Sequence, residues 1–264
     1  MAANVVLTDR PHAHVARVLI NRPDKRNAID HDVRQELTDT LSALLADSSV
    51  RALVFGGVGG TFSAGGDLPS MVGLSESQAR ARMQHIHFLC AQVAGAGIPV
   101  VSAIEGIGAG AAVGLALLGD YIVVGEGTQI LFPFLKLGLT PDWGQLLTLP
   151  PRIGLPHTRR ILVAGKPVTG TEALRIGLAD ALVSDEQVMD TAVAKAVELA
   201  QLPLGAFARM KDRLNNVSAS LAEEFVREKN DQAVCLLGDD FVEGYDAFKN
   251  RRAADFTGKP RGTE

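Results

Sequence analysis

Residues 99–114 read Pro99-Val-Val-Ser-Ala-Ile-Glu-Gly-Ile-Gly-Ala-Gly-Ala-Ala-Val-Gly114. The apolar run Pro99–Ile104 is typical of a buried strand, and the small residues behind it become helical by Leu115. A buried strand that leads through glycines into a helix is the repeating unit of an α/β fold. This stretch therefore predicts an α/β core.

A similar stretch lies upstream, where the apolar run Val50–Phe55 precedes Thr61-Phe-Ser-Ala-Gly-Gly-Asp-Leu68. We call residues 61–68 the first glycine turn and residues 105–114 the second. Glycine lets backbone N–H groups approach a ligand closely, and two N–H groups that face one point form an oxyanion hole. For either turn alone, tight packing of small residues between a strand and a helix is the structural alternative.

The rest of the chain divides into an alternating part and a helical part. Apolar runs and helical periodicity predict strands at Val15–Ile20, Tyr121–Val124 and Ala181–Val183, and helices that begin near Asp30 and Ser75. From Asp190 onward the pattern is helical with no clear strand. We therefore expect an α/β core over residues 1–190 and a helical region for oligomerisation over residues 191–264.

Composition excludes several classes of protein. The 264 residues are 47% hydrophobic and 21% charged, which suits a folded core and excludes disorder. The net charge of −4, without a basic block, argues against a nucleic-acid partner. The N-terminus lacks the pattern of a signal peptide, and the uncharged residues 106–119 are too few to cross a bilayer. Because Cys90 and Cys235 match no metal or redox spacing, we expect a cytoplasmic protein with two free thiols.

Five segments together indicate a family. They are Asn21-Arg-Pro-Asp-Lys-Arg-Asn-Ala-Ile29, Phe62-Ser-Ala-Gly-Gly-Asp-Leu68, Ala103-Ile-Glu-Gly-Ile-Gly-Ala-Gly110, Leu137-Gly-Leu-Thr-Pro-Asp142 and Ala247-Phe-Lys-Asn-Arg-Arg252. In order and spacing the chain resembles the crotonase (enoyl-CoA hydratase/isomerase) superfamily. The resemblance runs from about Val15 to Thr257.

The resemblance implies a spiral of ββα units with a helical C-terminal trimerisation region, assembled as a homotrimer or a dimer of trimers. It implies binding of an acyl-CoA thioester, with no metal and no cofactor besides the coenzyme A of the substrate. It places the oxyanion donors at the backbone N–H groups of Gly66 and Ala111. The implied nucleotide contacts are Arg26, Ala28, Ala64, Gly65, Asp67, Leu68, Phe248 and Arg251. The implied acyl pocket contains Phe134, Leu139 and Trp143.

Two departures from the family pattern bear on the reaction. Hydratases of the family use two glutamates, and the matching positions here are Gly114 and Phe134. Paired carboxylates let one group activate water while the other delivers a proton, so water addition lacks its usual base. Asp142 remains, at the place where family isomerases acting on dienoyl-CoA and ring-derived phenylacetyl-CoA compounds carry an aspartate.

Asp142 lies between Pro141 and Trp143, beside the apolar run of residues 130–135. This setting predicts a desolvated carboxyl with raised proton affinity. A cap for a helix that starts near Trp143 is the structural alternative. With the resemblance, we expect Asp142 to be the acid/base of a double-bond isomerisation.

Three alternatives stay open at this point. The chain could bind acyl-CoA without turnover, or it could hydrate an enoyl-CoA with Asp142 activating water. The dehalogenase branch of the family uses an aspartate nucleophile here, although Ala91 and Gln92 stand near the place of the histidine that it needs. His85 and His87 are two residues apart, which points them to different helix faces and favours a surface or packing role over a metal site.

Overall fold

The computed structural model describes residues 4–258. Its strands, in chain order, are β1 (Val6–His12), β2 (Val15–Ile20), β3 (Ala52–Gly57), β4 (Val100–Ile104), β5 (Ile107–Ala109), β6 (Tyr121–Gly125), β7 (Gln129–Leu131), β8 (Val168–Thr169) and β9 (Ala181–Val183). One sheet has the order β1-β2-β3-β4-β6-β9 and a smaller one the order β5-β7-β8. From β2 to β9 the larger sheet is parallel, and β1 is antiparallel to β2.

The α-helices alternate with the strands and then continue alone. They are α1 (His31–Ala46), α2 (Glu76–Ala94), α3 (Ala111–Leu117), α4 (Gln145–Ala164), α5 (Gly170–Ile176), α6 (Val188–Leu199), α7 (Leu204–Asn215), α8 (Leu221–Leu237) and α9 (Asp239–Asn250). Asp30 caps α1 by accepting a hydrogen bond from the Val33 N–H at 3.0 Å, as the sequence predicts. Ser75 and Gln78 form a capping box at the start of α2.

The structure adds detail to the predicted elements. The second glycine turn is helical by Leu115, as expected, and α3 begins at Ala111, directly after Gly110 with its φ of +47°. The strands β5, β7 and β8 have three, three and two residues, so they are too short to show an alternating pattern.

The larger sheet is covered on both faces, which explains why its central strands are mostly apolar. On one face the side chains of Leu53, Phe55 and Ile104 pack with those of α1, α2 and α3. On the other face Val54, Val101 and Val123 pack against the buried side of α6. Cys90 and Cys235 are free thiols. Within residues 4–258, no helix has both the length and the apolar character needed to span a membrane.

The topology brings the two glycine turns together. The strands β3 and β4 are neighbours and run parallel, so the segments that follow them leave the same edge of the sheet. The first turn then pairs with the second through a bridge between Ser63 and Gly108. It also pairs with the loop before α1 through a bridge between Ile29 and Gly66.

Hydrogen bonds from the side chain of Asn27 stabilise this contact between loops. The side chain is fully buried, with a φ of +56°. Its Nδ2 donates to the carbonyl oxygens of Val58 and Thr61 at 2.9 and 2.6 Å, and its Oδ1 accepts from the Arg22 N–H at 2.9 Å. Asn27 thus joins the loop before α1 to the loop that leads into the first glycine turn.

We expect Asn27→Ala to lower the free energy of unfolding by about 3 kcal/mol, because it leaves buried backbone groups without partners and places alanine at positive φ. Denaturant unfolding measures the change. Asn250→Ala is the matched control, since the Asn250 side chain is exposed and bonds only to Asp246. It should change stability by no more than about 0.5 kcal/mol. Equal losses in both variants would contradict the role given to Asn27.

Candidate active site

The two glycine turns lie in direct contact. A Cβ on Gly65 would overlap the carbonyl oxygen of Ala109 and would lie 3.6 Å from the backbone nitrogen of Ala111. Gly65 also has a φ of +88°, which side-chain-bearing residues rarely adopt. Both conditions require glycine, so the chain at this point is shaped by the approach of two backbones.

Two backbone N–H groups at this contact have no acceptor among residues 4–258. They belong to Gly66, in the first turn, and to Ala111, the first residue of α3. The neighbouring groups are engaged: the Ala64 N–H donates to the Arg26 carbonyl at 2.8 Å, and the Gly65 carbonyl accepts from the Ile29 N–H at 2.7 Å. The turns are thus held rigidly while two donors remain available to a ligand.

Asp142 has the environment that its neighbours in the sequence predict. Its Oδ1 is buried and has no hydrogen-bond partner within the described chain. Burial raises the pKa of the carboxyl, against the opposing attraction of the Arg82 guanidinium and of His87. The alternative role as a helix cap is wrong, because α4 begins at Gln145 with Gly144 as its N-cap and no side-chain cap bond.

Gln145 is a brace that the sequence analysis missed. Its Nε2 donates to the carbonyl oxygens of Gly110 and Asp142, at 3.1 and 3.0 Å. The side chain is fully buried. Gln145 links the backbone of Asp142 to that of Gly110, the residue before α3. This link fixes the distance between Asp142 and the second glycine turn. A lone glutamine in a helix offers no sequence pattern that predicts such a role.

The two positions that hold glutamate in hydratases are closed by packing. A Cβ on Gly114 would overlap the Cβ of Trp143 and lie 3.1 Å from Nε2 of Gln145. Trp143 is buried with a φ of +53°, an uncommon conformation for a bulky residue. Phe134 is also buried, and its ring lies 3.6 Å from the Cβ position of Gly110.

These segments are those of a known family. The sequence model of the family described as "Enoyl-CoA hydratase/isomerase" matches residues 10–259. The chain belongs to the enoyl-CoA hydratase/isomerase family, within the crotonase superfamily.

Similar proteins are named either as isomerases or as hydratases. This chain is 28% identical to 1,2-epoxyphenylacetyl-CoA isomerase of Escherichia coli K12 over 93% of this chain and 95% of that protein. It is 30% identical to the mitochondrial enoyl-CoA hydratase domain-containing protein 2 of Homo sapiens, over 94% and 87%. A crystal structure of a putative enoyl-CoA hydratase from Streptomyces coelicolor A3(2) superposes with a TM-score of 0.90 at 31% identity, over 97% and 94%.

Most of the residues expected to contact the nucleotide lie near one another. The backbone of Arg26 bonds to that of Ala64, and Ala28 precedes Ile29, which pairs with the first turn. Asp67 caps the short 3-10 helix Leu68–Met71 by accepting from the Ser70 N–H at 3.2 Å.

Phe248 and Arg251 lie elsewhere, at the end of α9. Phe248 is 83% exposed and borders a cavity of about 540 Å³ between the C-terminal helices, together with Tyr245 and Phe256. Arg251 is exposed and has a φ of +54°. Of the expected pocket residues, Phe134 and Trp143 are buried, whereas Leu139 is 44% exposed.

Arg82 is the second site residue that the sequence analysis missed. Its Nη2 lies 3.6 Å from the Cβ position of Gly66, and its charge acts on Asp142 and Asp67. Glu105, in the connection between β4 and β5, is half-buried, and burial raises the pKa of its carboxyl. No local sequence pattern marks Arg82 or Glu105, because only the tertiary fold determines their surroundings.

We expect Gly114→Ala to destabilise the protein by about 1–3 kcal/mol, although alanine in place of a helical glycine ordinarily stabilises by up to about 1 kcal/mol. The Cβ of Trp143 cannot move without its backbone, so overlap outweighs helix propensity. Thermal or denaturant unfolding measures the change. The control is Gly97→Ala, where the added Cβ would meet only Ala208 at 3.4 Å. A Gly114→Ala protein as stable as the parent would refute this packing argument.

Proposed function

We propose that the protein is an acyl-CoA isomerase that shifts a double bond through an enolate. The observation that carries the proposal is the carboxyl of Asp142, whose Oδ1 is buried and has no hydrogen-bond partner within residues 4–258. Gln145 links the backbone of Asp142 to Gly110 in the second glycine turn. In the proposed cycle the carboxylate form of Asp142 accepts a proton from the α or γ carbon of the acyl group. The electron pair of the broken C–H bond enters a dienolate, and its charge moves to the thioester oxygen.

The N–H groups of Gly66 and Ala111 bind that oxygen. They are fixed by the contact of the two turns before substrate arrives, so they need no reorganisation as the charge develops. In other oxyanion holes each such donor lowers the activation barrier by about 3–4 kcal/mol. Asp142, now protonated, returns the proton to a different carbon. Proton and electron pair both stay within the substrate and Asp142, so the cycle closes without a redox partner.

A single carboxyl serves this shuttle, whereas hydration ordinarily uses two groups, one for water and one for the proton. The packing at Gly114 supports the distinction, because Trp143 fills the space through which a glutamate side chain would pass. The position of Phe134 against Gly110 likewise places an apolar ring where the second carboxyl is expected. The acyl pocket on this proposal is lined by Phe134, Trp143 and, at its exposed rim, Leu139.

Coenzyme A, on the same proposal, lies along Arg26, Ala28 and the first glycine turn from Ala64 to Leu68. Phe248 and Arg251 close on the nucleotide from a neighbouring copy in a homotrimer or a dimer of trimers. Their exposure at the end of α9 supports this, as do the exposed Leu237 and Val242 in the same region. We also propose that the core is a spiral of ββα units and that the protein is cytoplasmic.

The decisive experiment compares Asp142→Asn with the parent protein. Acyl-CoA thioesters with one or two double bonds are incubated in D₂O, and mass spectrometry follows deuterium exchange and isomer formation. We expect the variant to lose about 10²–10⁴-fold in rate and to keep its affinity for acyl-CoA. The control is Asp9→Asn, which removes an exposed carboxylate of β1 that pairs with Arg17 of β2. This variant should behave as the parent does.

Three results would overturn the proposal. Isomerisation by Asp142→Asn at the parent rate would show that another group moves the proton. A 3-hydroxyacyl-CoA product from 2-enoyl-CoA, without isomer, would identify a hydratase in which Asp142 activates water. Calorimetric binding of acyl-CoA, with no exchange at any carbon of any thioester, would identify a binding protein.

The same variant should be more stable than the parent at neutral pH, by about 0.5–2 kcal/mol, as is common where a buried catalytic group is neutralised. The sign follows from the raised pKa of Asp142, which means that the folded state disfavours the carboxylate. The gain should decline as the pH falls through that raised pKa and should vanish below 3.8, the ordinary pKa of an aspartate, where the parent is protonated in both the folded and the unfolded state. Thermal unfolding at several pH values measures it.

The acidic limb of kcat/KM should lie above pH 3.8, the ordinary pKa of an aspartate, because only the carboxylate can accept the proton. Arg82 opposes the upward shift of this pKa, so Arg82→Gln should move the limb to still higher pH. The control is Arg80→Gln, on the same helix, whose side chain is 76% exposed and paired with Glu76. A limb that moves equally in both variants would contradict this assignment.

A further inference from the structure

A cavity of about 490 Å³ lies between α1 and α2, beside the proposed active site. Its lining includes four basic groups, with Ser70 and Gln78 beside them, and contains no acidic side chain. The basic groups are His31, Arg34, Arg82 and His85. A cavity with this lining has the electrostatic character of an anion site.

Arg34 is the main observation. It is only 3% exposed, and neither its Nε nor its Nη1 has a hydrogen-bond partner within the described chain. Burial lowers the pKa of its guanidinium to about 10, and the positive charge of Arg82 adds to this effect. Arg34 is therefore still charged at neutral pH. An unpaired buried charge costs several kcal/mol, and such groups are normally paired.

The nearby carboxylates do not supply the missing partner. Asp30 and Asp32 attract Arg34, yet neither forms an ion pair with it within residues 4–258. Asp30 is engaged by Arg22 and by the start of α1. His85 adds a further unsatisfied donor or acceptor, because its Nε2 is buried without a partner.

Arg82 connects this cavity to the site of chemistry. It lines the cavity, and its Nη2 lies 3.6 Å from the Cβ position of Gly66, whose N–H is a proposed oxyanion donor. An acyl chain whose thioester oxygen is bound at Gly66 can therefore direct its far end past Arg82 toward Arg34.

We propose that this cavity is a subsite for a carboxylate at the far end of the acyl group, held by Arg34 and Arg82. The preferred substrates are then short dicarboxylic acyl-CoA thioesters with a double bond. The inference rests on the proposed acyl-CoA site, and it adds the chemical class of the acyl group. A carboxylate suits a guanidinium because two oxygens can accept two parallel N–H bonds. No covalent step occurs in the subsite.

The test compares two five-carbon mono-unsaturated thioesters, one ending in a carboxylate (glutaconyl-CoA) and one in a methyl group (2-pentenoyl-CoA). Deuterium exchange gives kcat/KM, and calorimetry gives Kd for each. We expect the carboxylate thioester to be preferred by about 10- to 100-fold. In Arg34→Met, which retains the length of the side chain and removes its charge, that preference should fall to within a few-fold of unity.

Arg80→Gln is the matched control, since Arg80 is an exposed arginine on α2 that lies outside the cavity lining, and it should retain the full preference. Arg34→Lys restores a charge without the planar fork, and it should recover part of the preference. Because these readouts are ratios between two substrates, a general loss of folded protein does not change them.

Each outcome bears on one of the two proposals. If both thioesters exchange deuterium at equal kcat/KM, the subsite is refuted while the isomerase stands. If the carboxylate thioester binds more tightly but neither exchanges, the isomerase fails and the subsite stands. Binding of free glutarate or inorganic phosphate that Arg34→Met abolishes, without preference between the thioesters, would overturn the acyl carboxylate in favour of a free anion.

Discussion

Between the two glycine turns there is no room for a side chain, and the rest of the site depends on that contact. A Cβ on Gly65 would overlap the Ala109 carbonyl oxygen. Because β3 and β4 are parallel neighbours, the turns that follow them meet at one edge of the sheet. Their backbone groups then bond to one another, through Ser63 and Gly108, and to the loop before α1, through Asn27. Within residues 4–258, the N–H groups of Gly66 and Ala111 at this contact are left without an acceptor.

The aspartate is placed by a second local constraint. Trp143 and Gly144 are consecutive residues with positive φ, so the chain turns sharply between Asp142 and α4. The bulky Trp143 holds this conformation because it is fully buried against Gly114, and Gln145 bonds the turn to Gly110. The same packing that leaves no space for a side chain at position 114 therefore positions the backbone of Asp142. On the proposed function, the absence of a glutamate at position 114 and the placement of the catalytic aspartate have a common structural cause.

Buried charge is distributed unevenly around this centre. Burial raises the pKa of Asp142, and Nε and Nη1 of the buried Arg34 have no hydrogen-bond partner within residues 4–258, whereas exposed pairs such as Arg80–Glu76 and Arg252–Glu243 are formed elsewhere. Unsatisfied groups of this kind reduce stability, and in folded proteins they concentrate at sites that bind ligands. On the proposed function, a substrate with a distal carboxylate would give Arg34 its missing partner and would place its reacting carbon beside Asp142.

The sequence by itself determined the α/β class, the starts of α1 and α2, the two glycine turns, the family and the desolvated setting of Asp142. These features depend on residues that are close together along the chain, where periodicity, capping and glycine chemistry act. Only the tertiary structure decided that Gln145 links the backbone of Asp142 to that of Gly110, that Trp143 closes the space at Gly114, and that Arg34 and Arg82 share a cavity. Those contacts join residues that are distant in sequence, and no local pattern encodes which of many similar side chains the packing of α1, α2 and α3 brings to one place.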